Sequence, residues 1–499
     1  MESWGPMHAS APVLNFPEVL FMQTYTVTFL PQKVSVQVPQ GCDLLQAQIL
    51  ACLRPDAPCG GKGTCGKCRV WIGGREVLAC QTEVNRDMTV LTEPEKEAKI
   101  LTTGMKAEVK PDGANDYVLA FDIGTTTVVC YLLDGHSGQL LSQSSAMNPQ
   151  SQYGADVISR IQYVLEENGG EAMSGCIRKT LTLLAEEAVQ KADLTLDKIT
   201  AASIVGNTAM HHLLLGIDPH PLVIPPYMPA VFEAMEKDNG TRILPNIAGF
   251  VGADTVGCMV ATRFDKLEEL TLLIDIGTNG EMVLGDKNRR IACSTAAGPA
   301  FEGAKISCGM RGAPGAVDHV TVKDGEISYH VIGDVPTEGL CGSGLLDLVA
   351  ALLDTEVLDE SGYLEDKEYT LCENVTLTQK DIREVQLAKA AIQAGIELLC
   401  EKLGVEVQDI RQVFLAGAFG SYMDPRSACR IGMIPPVLLD KISAIGNAAG
   451  EGAKLCALSR AEYDYSKQLA ANTEFLELAS LPQFQDRYVD ALEFEEEEE

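Results

Sequence analysis

Four cysteines lie close together in a glycine-rich segment near the beginning of the chain. They are Cys59, Cys65, Cys68 and Cys80, and the segment from the first to the third reads Cys-Gly-Gly-Lys-Gly-Thr-Cys-Gly-Lys-Cys. Four thiolates in such a loop suit a [2Fe–2S] cluster, because glycines let the backbone wrap closely and their N–H groups can bond the sulfurs. A zinc ribbon is one alternative, although it requires two Cys-x2-Cys pairs and this loop has one. A set of structural thiols is the other alternative.

Two later segments share one arrangement: an apolar run, an aspartate, a glycine turn with polar residues, and a second apolar run. Their turns read Asp122-Ile123-Gly124-Thr125-Thr126-Thr127 and Asp275-Ile276-Gly277-Thr278-Asn279-Gly280. Backbone N–H groups and hydroxyls at such a hairpin tip can hold phosphate oxygens, and the aspartate can face a hydrated Mg²⁺. One such turn is a weak signal, since Asp and Gly occur in many hairpins. Its return about 150 residues later indicates a duplicated architecture.

Three further features bear on a nucleotide site. An apolar run at 413–416 leads into Gly417-Ala418-Phe419-Gly420, a turn at which the backbone can approach a nucleobase or ribose. Gly342 opens a predicted helix, where it either borders the nucleotide or serves as a cap and close-packing residue. Glu281 is a candidate to orient an attacking water, and Asp254 is a second candidate. The chain has no P-loop signature, and no Gly-x-Gly-x-x-Gly follows a clear strand.

The elements that position these residues follow from periodicity. Residues 24–39 alternate apolar and polar residues, which predicts two strands, and 44–53 reads as a short helix. The charged stretch 93–116 reads as a linker, after which the pattern becomes α/β. A helix is predicted at 381–403, with a capping box at its start and Gly404 after its end. We therefore divide the chain into an extension (1–21), a cysteine module (22–92) and a linker (93–116). An α/β body (117–465, with halves 117–265 and 266–465) and a C-terminal segment with an acidic tail (466–499) follow.

Composition narrows the class of protein. The formal net charge of −31 argues against a nucleic-acid partner, because a phosphate backbone needs a basic surface. The sequence has no apolar run long enough to span a membrane and no basic-then-apolar export signal at its start, so a cytoplasmic protein is expected. Of the 16 cysteines, those outside the loop are scattered singly and are expected to be small buried hydrophobes.

These motifs resemble two known families. Residues 22–92 resemble the β-grasp [2Fe–2S] ferredoxins. The two hairpins and the turn at Gly417 resemble the phosphate-1, phosphate-2 and adenosine motifs of the actin/sugar-kinase/Hsp70 (ASKHA) superfamily. The resemblance implies an α/β fold with an α+β N-terminal module: a ferredoxin domain followed by two ribonuclease-H-like halves that close on ATP. It also implies that Mg²⁺ and the phosphates are held by Asp122, Gly124, Thr125, Thr126, Thr127, Asp275, Gly277, Thr278, Asn279 and Gly280, and that Gly417, Ala418 and Gly420 line the adenosine.

The combination resembles the reductive activators of corrinoid-dependent methyltransferases from about residue 22 to about 465, including the segments 148–157, 205–210 and 297–303. The family implies an ATP-hydrolysing iron–sulfur protein that returns inactive Co(II) corrinoid to Co(I) with one electron. By this resemblance Cys59, Cys65, Cys68 and Cys80 hold the cluster. The expected partners are a corrinoid protein and a low-potential electron donor, and a homodimer is left open.

Better-known members of this family have a longer linker and a middle domain between their two parts. Only a short segment separates Cys80 from the first α/β strand here, so such a middle domain is expected to be missing. Three alternatives remain open on the sequence alone. They are a small-molecule kinase with a regulatory ferredoxin module, an ATP-dependent reductase of a non-corrinoid metalloenzyme, and an electron carrier whose nucleotide fold is a scaffold.

Overall fold

The computed structural model describes residues 23–51, 53, 55, 57, 61, 63, 66–92, 101–105, 107–277, 279–303 and 305–494. The chain divides into two compact units, Met1–Glu95 and Lys96–Glu499. The predicted extension 1–21, residues 93–100 of the predicted linker and residues 495–499 of the acidic tail lie outside the described residues. Within the described ranges, every helix is too short or too polar to cross a membrane.

The described residues of the first unit form a five-stranded mixed sheet with one α-helix. The two strands and the helix predicted in 24–53 are confirmed, although the helix ends at Leu50. β1 pairs with β2 in antiparallel fashion and with β5 in parallel, and the strand order is β2-β1-β5-β3-β4. Its elements are β1 (Thr24–Leu30), β2 (Val34–Pro39), α1 (Leu44–Leu50), β3 (Arg69–Ile72), β4 (Arg75–Leu78) and β5 (Met88–Thr92).

Alternation along the strands builds the core of this unit. Val27, Phe29, Val38 and Val90 turn to one face and are fully buried, as the period of two predicts. α1 covers that face with Leu44 and its neighbours. Asp43 begins the helix by accepting a hydrogen bond from the Gln46 N–H at 2.8 Å.

The second unit contains two six-stranded sheets. The first has the order β10-β11-β9-β6-β7-β8. Its strands and surrounding helices are β6 (Tyr117–Ile123), β7 (Thr127–Asp134), β8 (Leu140–Met147), α2 (Val157–Glu166), α3 (Gly170–Lys191), β9 (Ile199–Gly206), α4 (Thr208–Leu215), β10 (Met235–Glu236), β11 (Thr241–Ile243) and α5 (Ala253–Thr262).

The second six-stranded sheet has the order β21-β20-β12-β13-β14-β22, and two small sheets accompany it. The predicted helix at 381–403 is confirmed as α7, with the capping box between Thr378 and Asp381. The elements are β12 (Thr271–Ile276), β13 (Gly280–Gly285), β14 (Arg290–Thr295), β15 (Ala316–Lys323), β16 (Glu326–Val331), β17 (Gly339–Leu340), α6 (Gly342–Asp354), β18 (Glu368–Cys372), β19 (Val375–Thr378), α7 (Gln379–Leu403), β20 (Gln412–Ala416), α8 (Gly417–Tyr422), α9 (Pro425–Arg430), β21 (Ile442–Gly446), α10 (Ala448–Leu458), α11 (Arg460–Ala471), β22 (Glu474–Phe475) and α12 (Pro482–Asp490).

The two large sheets share a local topology. Each has three consecutive antiparallel strands, β6-β7-β8 in one and β12-β13-β14 in the other. The first of the three also pairs in parallel with a later strand, β9 or β20. The hairpin tips that follow β6 and β12 therefore occupy equivalent places, beside the carboxyl end of a parallel neighbour.

Helices α5 and α10 pack between the two sheets. A side chain on Gly257 would come within 2.9 Å of the Ala449 carbonyl, and one on Gly452 would clash with the backbone of Gly257. Small residues are therefore required where these helices meet. α11 continues the packing and runs across the division predicted at 465/466, while Leu476 and Leu478 join the core beneath the second sheet.

Candidate functional site

Four acidic side chains converge where the two sheets present their hairpin tips. Asp122 and Asp275 each occupy the last position but one of a strand, β6 and β12. Glu281 is the cross-strand partner of Asp275 in the hairpin β12–β13, so both side chains lie on one face. Asp254 lies in the first turn of α5. We call these four side chains the carboxylate cluster, and all four are candidate site residues predicted from the sequence.

Burial and mutual repulsion disfavour the charged forms of the cluster. Burial raises the pKa of Asp122 to about 6, against a hydrogen bond from Asn447 that lowers it. Burial and then the charge of Asp122 raise the pKa of Asp275 to about 6. The pKa of Asp254 rises to about 7, chiefly by burial and then by the charge of Asp275. Burial, followed by the charges of Asp254 and Asp275, raises the pKa of Glu281 well above its usual value.

Four neighbouring carboxyl groups suit a divalent cation that is also coordinated by water and by substrate phosphates. Among the described residues, no three His, Cys, Asp or Glu side chains are placed to hold a metal ion directly. Mg²⁺ commonly keeps several waters and takes one or two carboxylates together with substrate phosphates. Carboxylates of this cluster are groups that could face such a hydrated cation.

The tip of the first hairpin is held from several sides. The Gly124 N–H donates to the Thr127 carbonyl at 2.8 Å, which closes the turn. The Asn148 side chain donates to the Gly124 carbonyl at 2.8 Å. Arg160, which is fully buried, donates to the Thr125 carbonyl at 2.6 Å. The Thr125 hydroxyl accepts a hydrogen bond from Asn207 at 2.9 Å.

From the sequence, Asn207 was expected at most to border the nucleotide cleft, and Asn148 and Arg160 were given no role. Asn148 and Asn207 lie in segments that carry the family resemblance, and Arg160 follows one of them. Their position in or next to those segments was the only indication in the sequence of a role at the site. A linear sequence does not show that Arg160 folds back to bond a hairpin tip. Its burial is explained by the backbone carbonyls that it satisfies, at Thr125 and at Gly154.

The second hairpin has a similar closure, with the Gly277 N–H donating to the Asn279 carbonyl at 2.9 Å. Thr278 lies outside the described residues. Glu302 bonds one tip and lies near the other. It accepts a hydrogen bond from the Thr126 hydroxyl at 2.6 Å, and its other carboxylate oxygen lies 4.0 Å from where a side chain on Gly277 would begin. Glu302 was missed from the sequence, although it lies in the segment 297–303 that carries part of the family resemblance.

The turn after β20 adjoins the same place. Gly417 has a φ of +81°, and a side chain there would come within 2.6 Å of the Asp275 carboxylate. Glycine is thus required beside the cluster. Ala418 is exposed, and a side chain on Gly420 would begin 3.2 Å from the Leu415 side chain. Gly342 is closely packed, since a side chain there would clash with the carbonyl of Phe301. That contact supports the close-packing alternative for Gly342, and its role at a nucleotide stays a prediction.

The cysteine loop lies in the first unit. The sulfurs of Cys68 and Cys80 are 3.3 Å apart, well beyond the ~2.05 Å of a disulfide. Two thiolates at roughly 2.3 Å from one tetrahedral metal ion lie roughly 3.8 Å apart, so this pair could share one ion with a small adjustment. Gly61, Gly63 and Gly66 all have positive φ, which fits a tightly wrapped loop. Cys59 and Cys65, the other two predicted ligands, lie outside the described residues.

The cysteines elsewhere in the described chain behave as the sequence predicted. Most are buried among hydrophobic side chains, and burial raises the pKa of their thiols, to about 12 for Cys130 and Cys429. A raised thiol pKa leaves little thiolate, so these side chains are poor ligands and nucleophiles.

The raised pKa values predict how stability responds to pH. Each raised carboxyl binds its proton more tightly in the folded state, so its stabilising effect is complete below pH ~4 and is lost as pH rises through about 6 to 7. Glu281→Gln should therefore raise the melting temperature of the nucleotide-free protein at pH 7.5 by about 2 °C or more, and by less at pH 5.

Calorimetry at both pH values tests this expectation. Glu326→Gln is the control, because Glu326 is exposed on β16 and should change little at either pH. Equal destabilisation by Glu281→Gln at pH 5 and pH 7.5 would contradict the electrostatic account and indicate a lost structural contact.

Two family models match the second unit. The model described as the C-terminal domain of RACo, the ASKHA domain, matches residues 269–499. The model described as the RACo middle region matches residues 117–267. The expectation that a middle domain is missing is therefore wrong: a counterpart of that region is present, and it is the part that holds β6 and the first hairpin tip. A short linker did not indicate its loss, since the region itself begins at the first α/β strand.

Two relatives extend the comparison. The corrinoid activation enzyme RamQ of Eubacterium limosum is 37% identical over 415 residues, which cover 75% of this chain and 69% of RamQ. A protein of Methanosarcina barkeri described as [Co(II) methylated amine-specific corrinoid protein] reductase is 30% identical over 274 residues, covering 50% of this chain and 51% of that protein.

A solved structure is similar over nearly the whole length. It is described as a reductive activator for corrinoid, iron–sulfur protein, has 28% sequence identity and a TM-score of 0.69, and the match covers 94% of this chain and 98% of that one. The agreement of both family models, RamQ and this structure leads to one conclusion. The chain belongs to the family of reductive activators of corrinoid proteins that carry an ASKHA domain.

Proposed function

We propose that this protein catalyses the ATP-dependent, one-electron reduction of a partner's corrinoid from Co(II) to Co(I). The observation that carries the proposal is the pairing, in one chain of this family, of a close thiol pair with a carboxylate cluster at two equivalent hairpin tips. RamQ is described as a corrinoid activation enzyme and the similar solved structure as a reductive activator for corrinoid, iron–sulfur protein, which supports the same substrate class.

Residues 22–92 would form a β-grasp ferredoxin domain. Its β1–β5 parallel pair and flanking hairpins support this assignment. Cys59, Cys65, Cys68 and Cys80 would hold a [2Fe–2S] cluster, which supplies the electron when bound. The shared local topology of the two large sheets supports two ribonuclease-H-like halves, and residues 93–116 would link the modules.

The second unit would bind ATP between its hairpin tips. Backbone N–H groups and hydroxyls of the two turns would hold the phosphates, with Asp122 and Asp275 facing Mg²⁺ through water. Gly417, Ala418 and Gly420 would line the adenosine. Burial and then the charge of Asp275 raise the pKa of Asp254 to about 7, toward the range that suits a group exchanging protons at neutral pH. Asp254 or Glu281 would orient the water that attacks the terminal phosphate.

ATP is needed because the electron transfer is unfavourable on its own. Every ~59 mV by which the cobalt potential lies below that of the donor costs about 1.4 kcal/mol for one electron. Binding of the nucleotide can offset this cost only if the protein's conformations bind it with different affinities. Each half contributes one hairpin tip and the aspartate at the end of the strand before it, so closing the halves on a nucleotide would provide such a difference.

An anaerobic spectroscopic assay tests the proposal. The reduced protein is mixed with a Co(II) corrinoid protein from the same organism, and the visible spectrum is followed with and without ATP–Mg²⁺. The Co(I) band should appear only with ATP–Mg²⁺. Hydrolysis of ATP with an intact cluster but no Co(I), tried with several corrinoid proteins, would contradict the proposal and favour a kinase or a reductase of another metalloenzyme.

A further inference from the structure

A short segment between the cysteine-bearing unit and β6 is bound to edge strand β21 of the second large sheet. Residues 101–105 run beside β21, with Gly104 forming an antiparallel bridge to Gly446. The Met105 N–H donates to the Ile445 carbonyl at 2.7 Å, and the Asn447 N–H donates to the Thr103 carbonyl at 2.9 Å. We call residues 101–105 the strap. In the sequence it follows residues 93–100, which connect it to the cysteine-bearing unit.

The backbones of the strap and of β21 lie so close together that only glycines fit at Gly104 and Gly446. A side chain on Gly104 would come within 2.7 Å of both the Ile445 carbonyl and the backbone of Asn447. Gly446 has a φ of +67°, and a side chain there would clash with the Thr103 carbonyl. The two backbones therefore touch without intervening side chains, and a single methyl group at Gly104 should displace the strap.

A buried ion pair supports the strap from below. The Gly104 N–H donates to a carboxylate oxygen of Glu451 at 3.2 Å, and the same oxygen accepts from Lys454 at 2.6 Å. Both charged side chains are more than nine-tenths buried, and the Lys454 ammonium lies 4.7 Å from the centre of the Tyr131 ring. A buried carboxylate is destabilised unless its oxygens accept hydrogen bonds, so the Gly104 N–H helps to stabilise the charged form of Glu451.

Asn447 connects the strap to the carboxylate cluster. Its side-chain oxygen caps α10 by accepting from the Gly450 N–H at 2.8 Å, so its NH₂ group faces the other way. That nitrogen lies 2.8 Å from an Asp122 carboxylate oxygen, 3.2 Å from the Tyr131 hydroxyl and 3.5 Å from the Leu101 carbonyl. An amide NH₂ has only two hydrogens, so three acceptors compete for them.

We propose that Asn447 is a positioning residue for Asp122 that also transmits the nucleotide state to the strap. The proposal rests on the nucleotide site of the proposed function. In the absence of nucleotide, the Asp122 carboxylate accepts the shortest of the three hydrogen bonds of Asn447. When ATP–Mg²⁺ binds, the cation would compete with Asn447 for that carboxylate. The Asn447 NH₂ group then turns its hydrogens to Tyr131 and Leu101, and the strap is held more tightly. Nucleotide binding thus changes the anchorage of the chain that leads to the cysteine-bearing unit.

Hydrogen exchange of the full-length wild-type protein tests this directly. The amides of Gly104 and Met105 should exchange at least about 5-fold more slowly with ATP–Mg²⁺ than without it. Asn447→Ser keeps a good cap for α10 but removes the NH₂ group, and it should abolish that difference. Calorimetric titration with ATP–Mg²⁺ on the same samples establishes binding. Unchanged strap exchange in wild-type protein that binds ATP–Mg²⁺ would overturn the proposal, and so would the lack of any ATP–Mg²⁺ binding.

A matched pair of glycine variants tests the consequence for electron transfer. Gly104→Ala should keep ATP hydrolysis but reduce ATP-dependent formation of Co(I) at least 10-fold. Gly175→Ala is the control, because a side chain there meets nothing within 4 Å. Co(I) formation at the wild-type rate in Gly104→Ala would overturn the coupling role. If the wild-type protein shows the exchange response but never forms Co(I), the proposed corrinoid function is contradicted, whereas the effect of nucleotide on the strap is not.

Discussion

Cys80→Ser is expected to remove the iron–sulfur centre and, with it, all ATP-dependent formation of Co(I). The Cys80 sulfur lies 3.3 Å from that of Cys68, the other described member of the predicted ligand set. Changes that merely reorient a metal ligand cost roughly 10- to 100-fold in metal affinity, and loss of a ligand should cost more. Iron and sulfide content and the visible absorption of the purified protein measure the effect.

Cys42→Ser provides a matched control for this prediction. Cys42 lies in the same unit but outside the ligand spacing, and its thiol donates to backbone and side-chain oxygens near the start of α1. A hydroxyl can make the same contacts, so the cluster and Co(I) formation should persist. Retention of a full iron–sulfur complement in Cys80→Ser would refute the assignment of this residue, whereas ATP hydrolysis by the second unit should continue in either variant.

Asp275→Asn should lower the rate of ATP hydrolysis by about 100- to 1,000-fold, the range seen when one preorganised electrostatic group is removed from an active site. Asp275 touches three parts of the site at once: it opposes Glu281 across the hairpin, borders the Gly417 turn and interacts electrostatically with Asp122. Because its carboxylate is buried beside like charges, the amide should not weaken the fold. A coupled phosphate-release assay at saturating ATP–Mg²⁺ measures the loss.

Asp286→Asn is the control for Asp275→Asn. Asp286 follows β13, the strand that pairs with the strand of Asp275, at the end away from the hairpin tip. It accepts hydrogen bonds from the turn amides of Asn288 and Arg289. An asparagine oxygen can accept those bonds too, so hydrolysis should stay near the wild-type rate. Wild-type hydrolysis by Asp275→Asn would remove the second hairpin from the nucleotide site, and unfolding of that variant would show that its charge is structurally required.

Local patterns were sufficient for much of the fold. The alternation in 24–39 and the capping box at Thr378 predicted elements that the structure contains, because strand period and helix capping act over a few residues. The repeated hairpins predicted that Asp122 and Asp275 are equivalent, and the structure places both at the carboxyl ends of corresponding strands. The middle region was misjudged, because the length of a linker carries no information about the fold of the next domain in the chain.

The sequence by itself determined the chemical groups of this protein: four cysteines at cluster spacing, two aspartates at hairpin tips and the glycines beside them. Only the tertiary structure decided that Asp254 joins the cluster, that Glu302 bonds the first tip, and that Asn447 lies between Asp122 and the strap. These contacts join residues far apart in the chain, and they form only when two sheets and the helices between them pack together. No local periodicity encodes such distances, since they result from the burial of the whole core.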